Sequence, residues 1–393
     1  MRLRRQLPAW SPINLPALTA GLWASMTGAD SRDALSARIR SSYGCSEVVL
    51  TNSGTSALAV AFRATAPAGK PPRVALPAYG CFDLMTAADA VEAEVVLYDL
   101  DPATLGPDVE SLRAALSHGP HAVVIAHWYG VPVDVAALRG EIAGAGAVLI
   151  EDAAQGVGAS VRGRLVGGFG DLAILSFGRG KGRTGGRGGA LLVRDAEQVP
   201  AVLRDAQRWP RPGRGVGDLV VLGALWMLGR PSLFWLPATI PSLRLGETVY
   251  QPPCQVGAIS SSAAAVVGRI WEVAEHEAWV RRENGMRWLG AIAGGPELGV
   301  IEVLPGSEPG WLRFPILARG SRRRVLQSQE VIASGVMPGY PRTLSALGRP
   351  VLNSGEAFPG AQALVEECIT LPTHRMVAEV DFEAVLGMLR TGP

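Results

Sequence analysis

The sequence predicts an α/β fold built around a mostly parallel central sheet, followed by a smaller α+β domain. Between about residues 46 and 193, short apolar, β-branched runs alternate with helical stretches, which is typical of a parallel sheet covered by helices on both faces. Several of these runs end directly in a polar or glycine-rich turn. A chain of 393 residues with 48% hydrophobic content can also bury the large core that such a sheet requires.

The strands of the large domain are predicted from apolar runs rich in Val, Ile and Leu. The candidates are Val48–Thr51, Val74–Leu76, Val95–Tyr98, Ala122–His127, Val148–Glu151, Leu172–Phe177 and Ala190–Val193. In open α/β sheets, ligands bind where the carboxyl ends of the strands meet the loops. The chemistry of this protein is therefore expected in the turns that follow these strands.

The predicted domain organisation has three parts. Residues 1–207 form a large α/β domain with an N-terminal helical segment, and residues 208–258 form an irregular apolar insertion and connector. Residues 259–393 form a small C-terminal α+β domain. Its predicted elements are a helical segment at Ser260–Trp288 and strands at Trp311–Ile316 and Cys368–Leu371.

Charge and cysteine content narrow the class of protein. The chain has 37 basic and 35 acidic residues and a net charge of +2, so no general attraction to nucleic acid is expected. The four cysteines lack the spacing of a zinc site or a disulfide scaffold, which favours a reducing cytoplasm and no metal. Pro8 and Pro12 interrupt the basic N-terminus before an apolar signal core, so no export signal is expected.

The first turn that could carry chemistry is Asn52–Leu58, where a strand breaks at Gly54 and passes into an apolar helix. Exposed amides at the start of a helix, with the hydroxyls of Ser53, Thr55 and Ser56, suit a phosphate monoester. Ser and Thr at this position also commonly cap a helix that binds no ligand. Both interpretations stay open from this turn alone.

The second turn begins at Asp152, directly after the buried strand Val148–Glu151. A carboxylate at this position could pair with the protonated ring nitrogen of a bound cofactor through a charge-assisted hydrogen bond. Asp is also among the best residues for capping a helix, and from this turn alone the cap is the simpler interpretation.

The third turn, Ser176–Gly189, is dense in glycine and arginine and contains a single lysine, Lys181. A lysine amine can form a Schiff base with a carbonyl whereas arginine cannot, so Lys181 is the candidate for covalent catalysis in this loop. The alternative is a loop that binds phosphate or a nucleotide through backbone amides and positive charge. The loop lacks the G-x-x-x-x-G-K-[ST] spacing of a nucleotide P-loop.

Together, the three turns resemble the DegT-like (DegT/StrS-type) family of pyridoxal-phosphate-dependent sugar aminotransferases, which have the aspartate-aminotransferase fold, also called PLP-transferase fold type I. The order and spacing of the turns agree with the family, and the resemblance covers most of the chain. Further similar segments are Pro77–Tyr79, His127–Gly130 and Leu371–His374.

The resemblance assigns roles to individual residues of the three turns. It implies that Lys181 binds pyridoxal 5′-phosphate covalently and shuttles a proton during transfer, that Asp152 binds the pyridine nitrogen, and that Gln155 lies beside the phenolic oxygen. The residues that it implies for the phosphate are Thr55, Ser56 and Ser176, and Gly54 is a further cofactor-binding residue.

The resemblance also implies an activity and an assembly. Family members transfer an amino group from glutamate or glutamine to a keto sugar, usually one carried on a nucleotide, and the active site lies at the interface of a homodimer. Some relatives replace the lysine with histidine and act as dehydratases, and Lys181 argues against that variant. A non-catalytic binding or scaffolding protein with the same fold is the alternative from another class.

Three positions depart from the family pattern. Arg187 stands where the family usually has an acidic residue, and Cys81, with Phe82 beside it, stands where many members place an aromatic residue against the cofactor ring. The family asparagine that reaches the phosphate of the neighbouring subunit is absent between Val249 and Ser262. The candidates to replace it are Tyr250 and Gln255.

The apolar segment Leu219–Leu236 is too short to span a bilayer, which takes about twenty residues, and is interrupted by an arginine and a proline. It could lie at a membrane surface, or be buried in the dimer interface or under the small domain, which is the favoured interpretation. The side chains that would face lipid are Trp226, Phe234, Trp235, Arg208, Arg211, Arg214 and Arg230.

Overall fold

A computed structural model describes residues 4–210, 213–240, 245–246, 248–253, 255–292 and 298–390. Arg211 therefore lies outside the described residues. The strands are β1 Glu47–Thr51, β2 Arg73–Pro77, β3 Glu94–Tyr98, β4 Ala122–Ala126, β5 Val148–Asp152, β6 Ser160–Val161, β7 Arg164–Leu165, β8 Leu172–Ser176, β9 Gly189–Val193, β10 Leu298–Val300, β11 Ser307–Glu308, β12 Phe314–Ala318, β13 Met337–Pro338 and β14 Cys368–Leu371.

Helices cover the sheet and also occur throughout the C-terminal region. They are α1 Leu15–Thr27, α2 Arg32–Tyr43, α3 Gly54–Thr65, α4 Asp83–Asp89, α5 Val109–Ser117, α6 Val135–Gly144, α7 Val199–Ala206, α8 Val216–Leu228, α9 Trp235–Ala238, α10 Ser261–Arg269, α11 Trp271–Ile292, α12 Arg322–Gln327, α13 Gln329–Ala333, α14 Pro359–Glu367 and α15 Glu379–Arg390.

The central sheet has seven strands in the order β1-β9-β8-β5-β4-β2-β3. Strand β9 runs antiparallel to both of its neighbours, and the other pairings are parallel. The predicted α/β fold with a mostly parallel sheet is confirmed, as are all seven predicted strands, whose ends shift by at most one residue. Ser176 pairs with Gly189 in β9, so the glycine-rich loop between them joins two adjacent antiparallel strands.

Strand β4 illustrates why these sequences form a sheet buried on both faces. Every residue of Ala122–Ala126 is buried. Because side chains alternate along a strand, Val124 packs into the cluster that contains α3, whereas Val123 and Ile125 pack on the opposite face with α5 and α6. A continuous apolar run is what a strand covered on both faces requires.

The C-terminal region contains an antiparallel sheet in the order β10-β12-β14-β13. The predicted strand Cys368–Leu371 has the same bounds in the structure, and the strand predicted at Trp311–Ile316 occurs as Phe314–Ala318. The predicted helical segment at Ser260–Trp288 is divided at Ile270 into α10 and α11. Helix α10 packs on α1 and α2, the two helices nearest the N-terminus.

The stretch expected to be an irregular insertion contains a regular helix, α8, of 13 residues. Its neighbour α1 has no charged residue, and the two helices contact one another. Only Leu222 of α8 is buried, while Val216, Val220, Trp226 and Met227 are exposed. Helix α1 likewise exposes Leu15, Leu22, Trp23 and Met26. We call these eight side chains the α1–α8 apolar surface.

Candidate active site

The carboxyl ends of the central strands border a cavity of about 730 Å³. This volume lies within the range of pockets that hold a cofactor or a small ligand. Most of its lining is contributed by the three turns singled out in the sequence, and the rest comes from α3, α4, α8 and the segments around residues 81, 128 and 255. The described residues that line it are Asn52, Ser53, Gly54, Thr55, Leu58, Cys81, Asp83, Leu84, Trp128, Asp152, Ala154, Gln155, Ile174, Ser176, Gly178, Arg179, Lys181, Gly186, Arg187, Gly188, Val221 and Gln255.

The start of α3 packs closely on the end of β8. A Cβ atom at Gly54 would lie 2.9 Å from Cβ of Ser176, so glycine permits this approach. Ser53 caps the helix, because its hydroxyl accepts the amide of Ser56 at 3.0 Å. Thr55 and Ser176 both line the cavity beside the start of this helix. The capping role therefore falls to Ser53 and leaves the hydroxyl of Thr55 facing the cavity.

Asp152 ends strand β5, in the middle of the sheet. One of its carboxylate oxygens accepts the amide of Ala154 at 2.9 Å. Burial raises the pKa of Asp152 above its ordinary value, although the Ala154 amide and the Lys181 ammonium act in the opposite direction. A buried carboxylate with one hydrogen bond has lone pairs left for a cationic ligand.

Lys181 lies in the loop between β8 and β9 and lines the same cavity as Asp152. Among the described residues, its ammonium nitrogen forms no hydrogen bond or salt bridge, whereas its carbonyl accepts the Ser11 hydroxyl at 2.7 Å. The chain contains one other lysine, Lys70, which is exposed. The side chain of Lys181 is therefore unpaired within the described part of the chain.

The lysine loop is held in place by a buried arginine. The guanidinium carbon of Arg183 lies 3.6 Å from the ring centroid of Trp271, and Arg183 donates to Glu275 at 2.9 Å. Only 2% of Arg183 is exposed. A stacked, desolvated guanidinium makes a strong cation–π contact, so Arg183 fixes the position of Lys181, two residues earlier in the chain.

Gln155 connects the cavity to the C-terminal region. Its side-chain oxygen accepts the Tyr129 amide at 3.0 Å, and its nitrogen donates to the Tyr340 hydroxyl at 2.7 Å. Tyr340 in turn packs edge to face on Trp128 and on Tyr79, at centroid distances of 5.4 and 5.3 Å. The amide of Gln155 thus has one fixed orientation.

Seven of the residues predicted for the site lie together in the cavity lining, and two lie elsewhere. Those in the lining are Gly54, Thr55, Cys81, Asp152, Gln155, Ser176 and Lys181. The hydroxyl of Ser56 is buried and lies 3.0 Å from that of Ser53. Phe82 is buried in the core beneath α3 and α4. Neither Ser56 nor Phe82 lines the cavity.

The structure also brings residues to the cavity that the motifs did not single out as site residues. Trp128 lies in His127–Gly130, one of the further segments similar to the family, and Val221 lies on α8, in the insertion. Of the two candidates for the missing asparagine, Gln255 lines the cavity and its carbonyl accepts the side chain of Asn52 at 2.9 Å. Tyr250 instead donates to Asp89.

Arg187 lies at the cavity wall with 77% of its side chain exposed. Its nearest acidic partner is Asp218 of α8, at 3.7 Å, and Asp218 also accepts the Ser260 hydroxyl at 2.6 Å. A long, solvent-screened ion pair of this kind holds an arginine weakly. Arg187 and Arg179 therefore add positive charge to the cavity wall.

Residues 15–204 match the model of the DegT/DnrJ/EryC1/StrS aminotransferase family. The three turns that line the cavity all lie within this match. Over these residues, the chain is similar to the DegT/DnrJ/EryC1/StrS aminotransferase family.

The curated relatives agree with the family. The L-glutamine:2-deoxy-scyllo-inosose aminotransferase of Streptoalloteichus tenebrarius is 34% identical over 217 residues, which is 53% of this chain and 51% of that protein. The one from Streptomyces fradiae is 29% identical over 308 residues, 75% of this chain and 66% of that protein. For the first relatives, the chain spans about half the length of the protein that it matches.

The fold as a whole is shared with solved structures. AtS13 from Actinomadura melliaura superposes with a TM-score of 0.78 and 22% identity over 99% of both chains. At this level of identity the likeness establishes the fold. It extends beyond residue 204, so the C-terminal sheet and helices belong to the same architecture.

Proposed function

We propose that this protein is a cytoplasmic, pyridoxal-phosphate-dependent aminotransferase that transfers an amino group from glutamate or glutamine to a keto sugar. The observation that carries the proposal is Lys181, which has no partner for its amine among the described residues and shares one cavity with Asp152, Thr55 and Ser176. The names of the relatives, which are aminotransferases of keto sugars or inososes, support this assignment.

The residues of the cavity fit pyridoxal 5′-phosphate in their chemistry. A free amine, a buried carboxylate and a helix start with two hydroxyls match the aldehyde, the pyridine nitrogen and the phosphate of this group. When bound, the cofactor supplies an aldehyde that links covalently to amines and a ring that accepts electrons from the substrate carbon.

The roles of the protein residues follow from their positions. Lys181 would bind the cofactor through Nζ and, once the amino donor displaces it, the same atom would move a proton from the α-carbon of the donor to the cofactor. Asp152 keeps the ring nitrogen protonated. Burial raises the pKa of Asp152, and a cation beside it would lower that pKa again, so the carboxylate and a protonated ring stabilise one another. Thr55 and Ser176 hold the phosphate.

We further propose a nucleotide-linked keto sugar as the acceptor. Arg179 and Arg187 at the cavity wall are suited to phosphate or other anionic groups on a substrate that extends out of the cavity. The test is a screen of the purified enzyme against keto-sugar nucleotides, free keto sugars and inososes with glutamine and glutamate as donors. A visible absorption band of bound cofactor without transfer to any of them would favour a binding protein or a dehydratase.

The proposed assembly is a homodimer in which a second copy covers the α1–α8 apolar surface. This surface adjoins the cavity, since Val221 of α8 lines the cavity while Val220 beside it is 69% exposed. Exposed apolar patches of this kind more often serve protein contacts than lipid contacts. Sedimentation of the enzyme at assay concentration tests the proposal, and an active monomer would refute it.

A peripheral membrane contact through residues 219–236 is the other outcome that this surface allows. None of the helices in the described part of the chain is long and apolar enough to cross a membrane. The guanidinium of Arg230 lies 5.9 Å from the ring of Trp226, and Arg214 donates to the Met26 carbonyl, so arginines border the surface. Co-sedimentation of the intact dimer with anionic liposomes at low salt, lost in Trp226→Ser plus Trp235→Ser, would establish the membrane contact.

A further inference from the structure

Val221 of α8 lines the cavity and is only half-buried, so its side chain is open to a ligand. The other leucine, isoleucine and valine residues among the described lining residues are Leu58, Leu84 and Ile174. Each of these three belongs to the core and is at most 3% exposed. A ligand in this cavity therefore meets branched aliphatic surface mainly at Val221.

Helix α8 lies directly against the loop that carries Lys181. A Cβ atom at Gly186 of that loop would lie 3.1 Å from the carbonyl oxygen of Asp218 and equally far from Cγ of Leu222, and the φ of Gly186 is +79°. Residues three and four apart share one face of a helix, so Asp218, Val221 and Leu222 face the same way. Leu222 is fully buried, and Val221 is the member of this face that reaches the cavity.

The first turn of α8 is also bound to the start of α10. Asp218 accepts the Ser260 hydroxyl at 2.6 Å, and the Ser262 hydroxyl donates to the Gly215 carbonyl at 2.9 Å. These two hydrogen bonds fix the end of the helix that lies next to Val221. The wall that Val221 contributes is therefore a positioned surface of the cavity.

Val221 lies on the side of the cavity proposed for the acceptor. Asp218, three residues before Val221, is the nearest acidic partner of Arg187, which is suited to an anionic group of the acceptor. An aminotransferase brings two different substrates to one cofactor in turn, and the keto sugar proposed above extends further out of the cavity than the amino donor. Helix α8 also follows residue 204, where the match to the family model ends, whereas Lys181 lies within that match.

We propose that Val221 determines acceptor specificity by packing on an apolar edge of the keto sugar, a methyl or methylene group, and by limiting the size of the acceptor at this wall. This inference rests on the proposed function. A valine side chain cannot form a hydrogen bond, so a hydroxyl group placed against it would lose water without gaining a partner. The acceptor that fits is one whose carbon facing α8 carries no hydroxyl group.

The test separates the two halves of the reaction by the visible absorption band of the bound cofactor, which the amino donor should remove and the acceptor should restore. Glutamine and glutamate are the donors, and the acceptors are scyllo-inosose and a 4-keto-6-deoxyhexose linked to a nucleoside diphosphate. For the acceptor that the wild type uses faster, kcat/KM relative to that for the donor should fall about fivefold in Val221→Thr and about tenfold or more in Val221→Phe. Threonine keeps the shape of valine but places a hydroxyl group against the apolar edge, and phenylalanine fills the space that the acceptor needs.

The same substitutions at Val380, which is 49% exposed on α15, are the matched controls and should keep the wild-type ratio of the two constants. If Val221→Phe does not fold, the nearly isosteric Val221→Thr decides. An unchanged or higher ratio in Val221→Thr would overturn the apolar contact, and an equal loss for donor and acceptor in Val221→Phe would overturn the role in specificity. A wild type that uses neither acceptor would overturn the acceptor class on which this inference rests. A wild type whose absorption band neither donor removes would instead overturn the proposed function itself.

Discussion

Nε2 of His127 lies 2.9 Å from a carboxylate oxygen of Glu151, and both side chains are fully buried next to the active-site strand β5. Nδ1 of the same ring accepts the Val133 amide at 3.1 Å, so the proton is on Nε2 and is donated to Glu151. The carboxylate also accepts the backbone amides of Gly167, Phe169 and Gly170. Glu151 thus ties the end of β5 to the turn that leads into β8.

Glu151→Gln should destabilise the protein by about 2 to 4 kcal/mol, because the new amide group would place donors against donors in a buried site. Burial acts to raise the pKa of Glu151, but His127 and the amides outweigh it and hold the pKa below its ordinary value. The stability that the ionised Glu151 carboxylate contributes is therefore complete above its unfolded-state pKa of about 4.3. It is lost as the pH falls from there through the lower pKa of the folded state. Urea unfolding from pH 7 to pH 3 should show the difference between the wild type and the variant shrinking below about pH 4. A constant difference would contradict this linkage.

Lys181→Ala should leave a folded protein whose transfer rate falls by about three orders of magnitude, because the amine that binds the cofactor and moves the proton is gone. Borohydride reduction of the wild type followed by peptide mapping should label Lys181. Lys70→Ala is the matched control and should keep both label and activity. Label on Lys70, the one other lysine in the chain, would remove Lys181 from its role.

Asp152→Asn should retain the cofactor but transfer roughly ten- to a hundredfold more slowly, since a neutral amide cannot favour a protonated ring as a carboxylate does. Steady-state rates with saturating cofactor give the measurement, and the absorption spectrum verifies that the site is filled. Turnover near that of the wild type would exclude a pairing between Asp152 and the ring nitrogen.

Arg183→Lys should loosen the lysine loop although it preserves the positive charge, because an ammonium group cannot stack on Trp271 and reach Glu275 as a planar guanidinium does. We expect a loss of about 1 to 3 kcal/mol in the free energy of unfolding. Amide hydrogen exchange between residues 178 and 188 should become faster. Arg179→Lys, in the same loop, is the control. Equal exchange in Arg183→Lys and the wild type would show that the loop is held by other contacts.

The central sheet could be predicted from the sequence because each strand is an apolar run with no competing pattern. Strand β4 is the clearest example, with every residue buried. Helix α8 is hard to recognise from the sequence. Apart from Asp218 in its first turn it has no charged residue, so no polar face reveals a helical period, and glycine and proline lie beyond both of its ends.

The direction in which a side chain points within a turn depends on contacts that are distant in the sequence. Ser56 lies one residue after Thr55 but turns toward Ser53, and Phe82 lies one residue after Cys81 but enters the core. Trp128 reaches the cavity because Gly80, 48 positions earlier in the chain, leaves space for it. These placements require the packed structure, and spacing alone does not contain them.

Helix α8 is both part of the cavity wall and part of the outer surface, because Val221 and Val220 are consecutive in it. A rigid helix cannot move one of these side chains without moving the other. A partner that shifts α8 when it binds the outer surface would therefore also shift Val221 at the cavity wall. If such a partner changes the affinity of the cavity for a ligand that contacts Val221, the ligand changes the affinity for the partner by the same factor, because binding free energies are reciprocally linked.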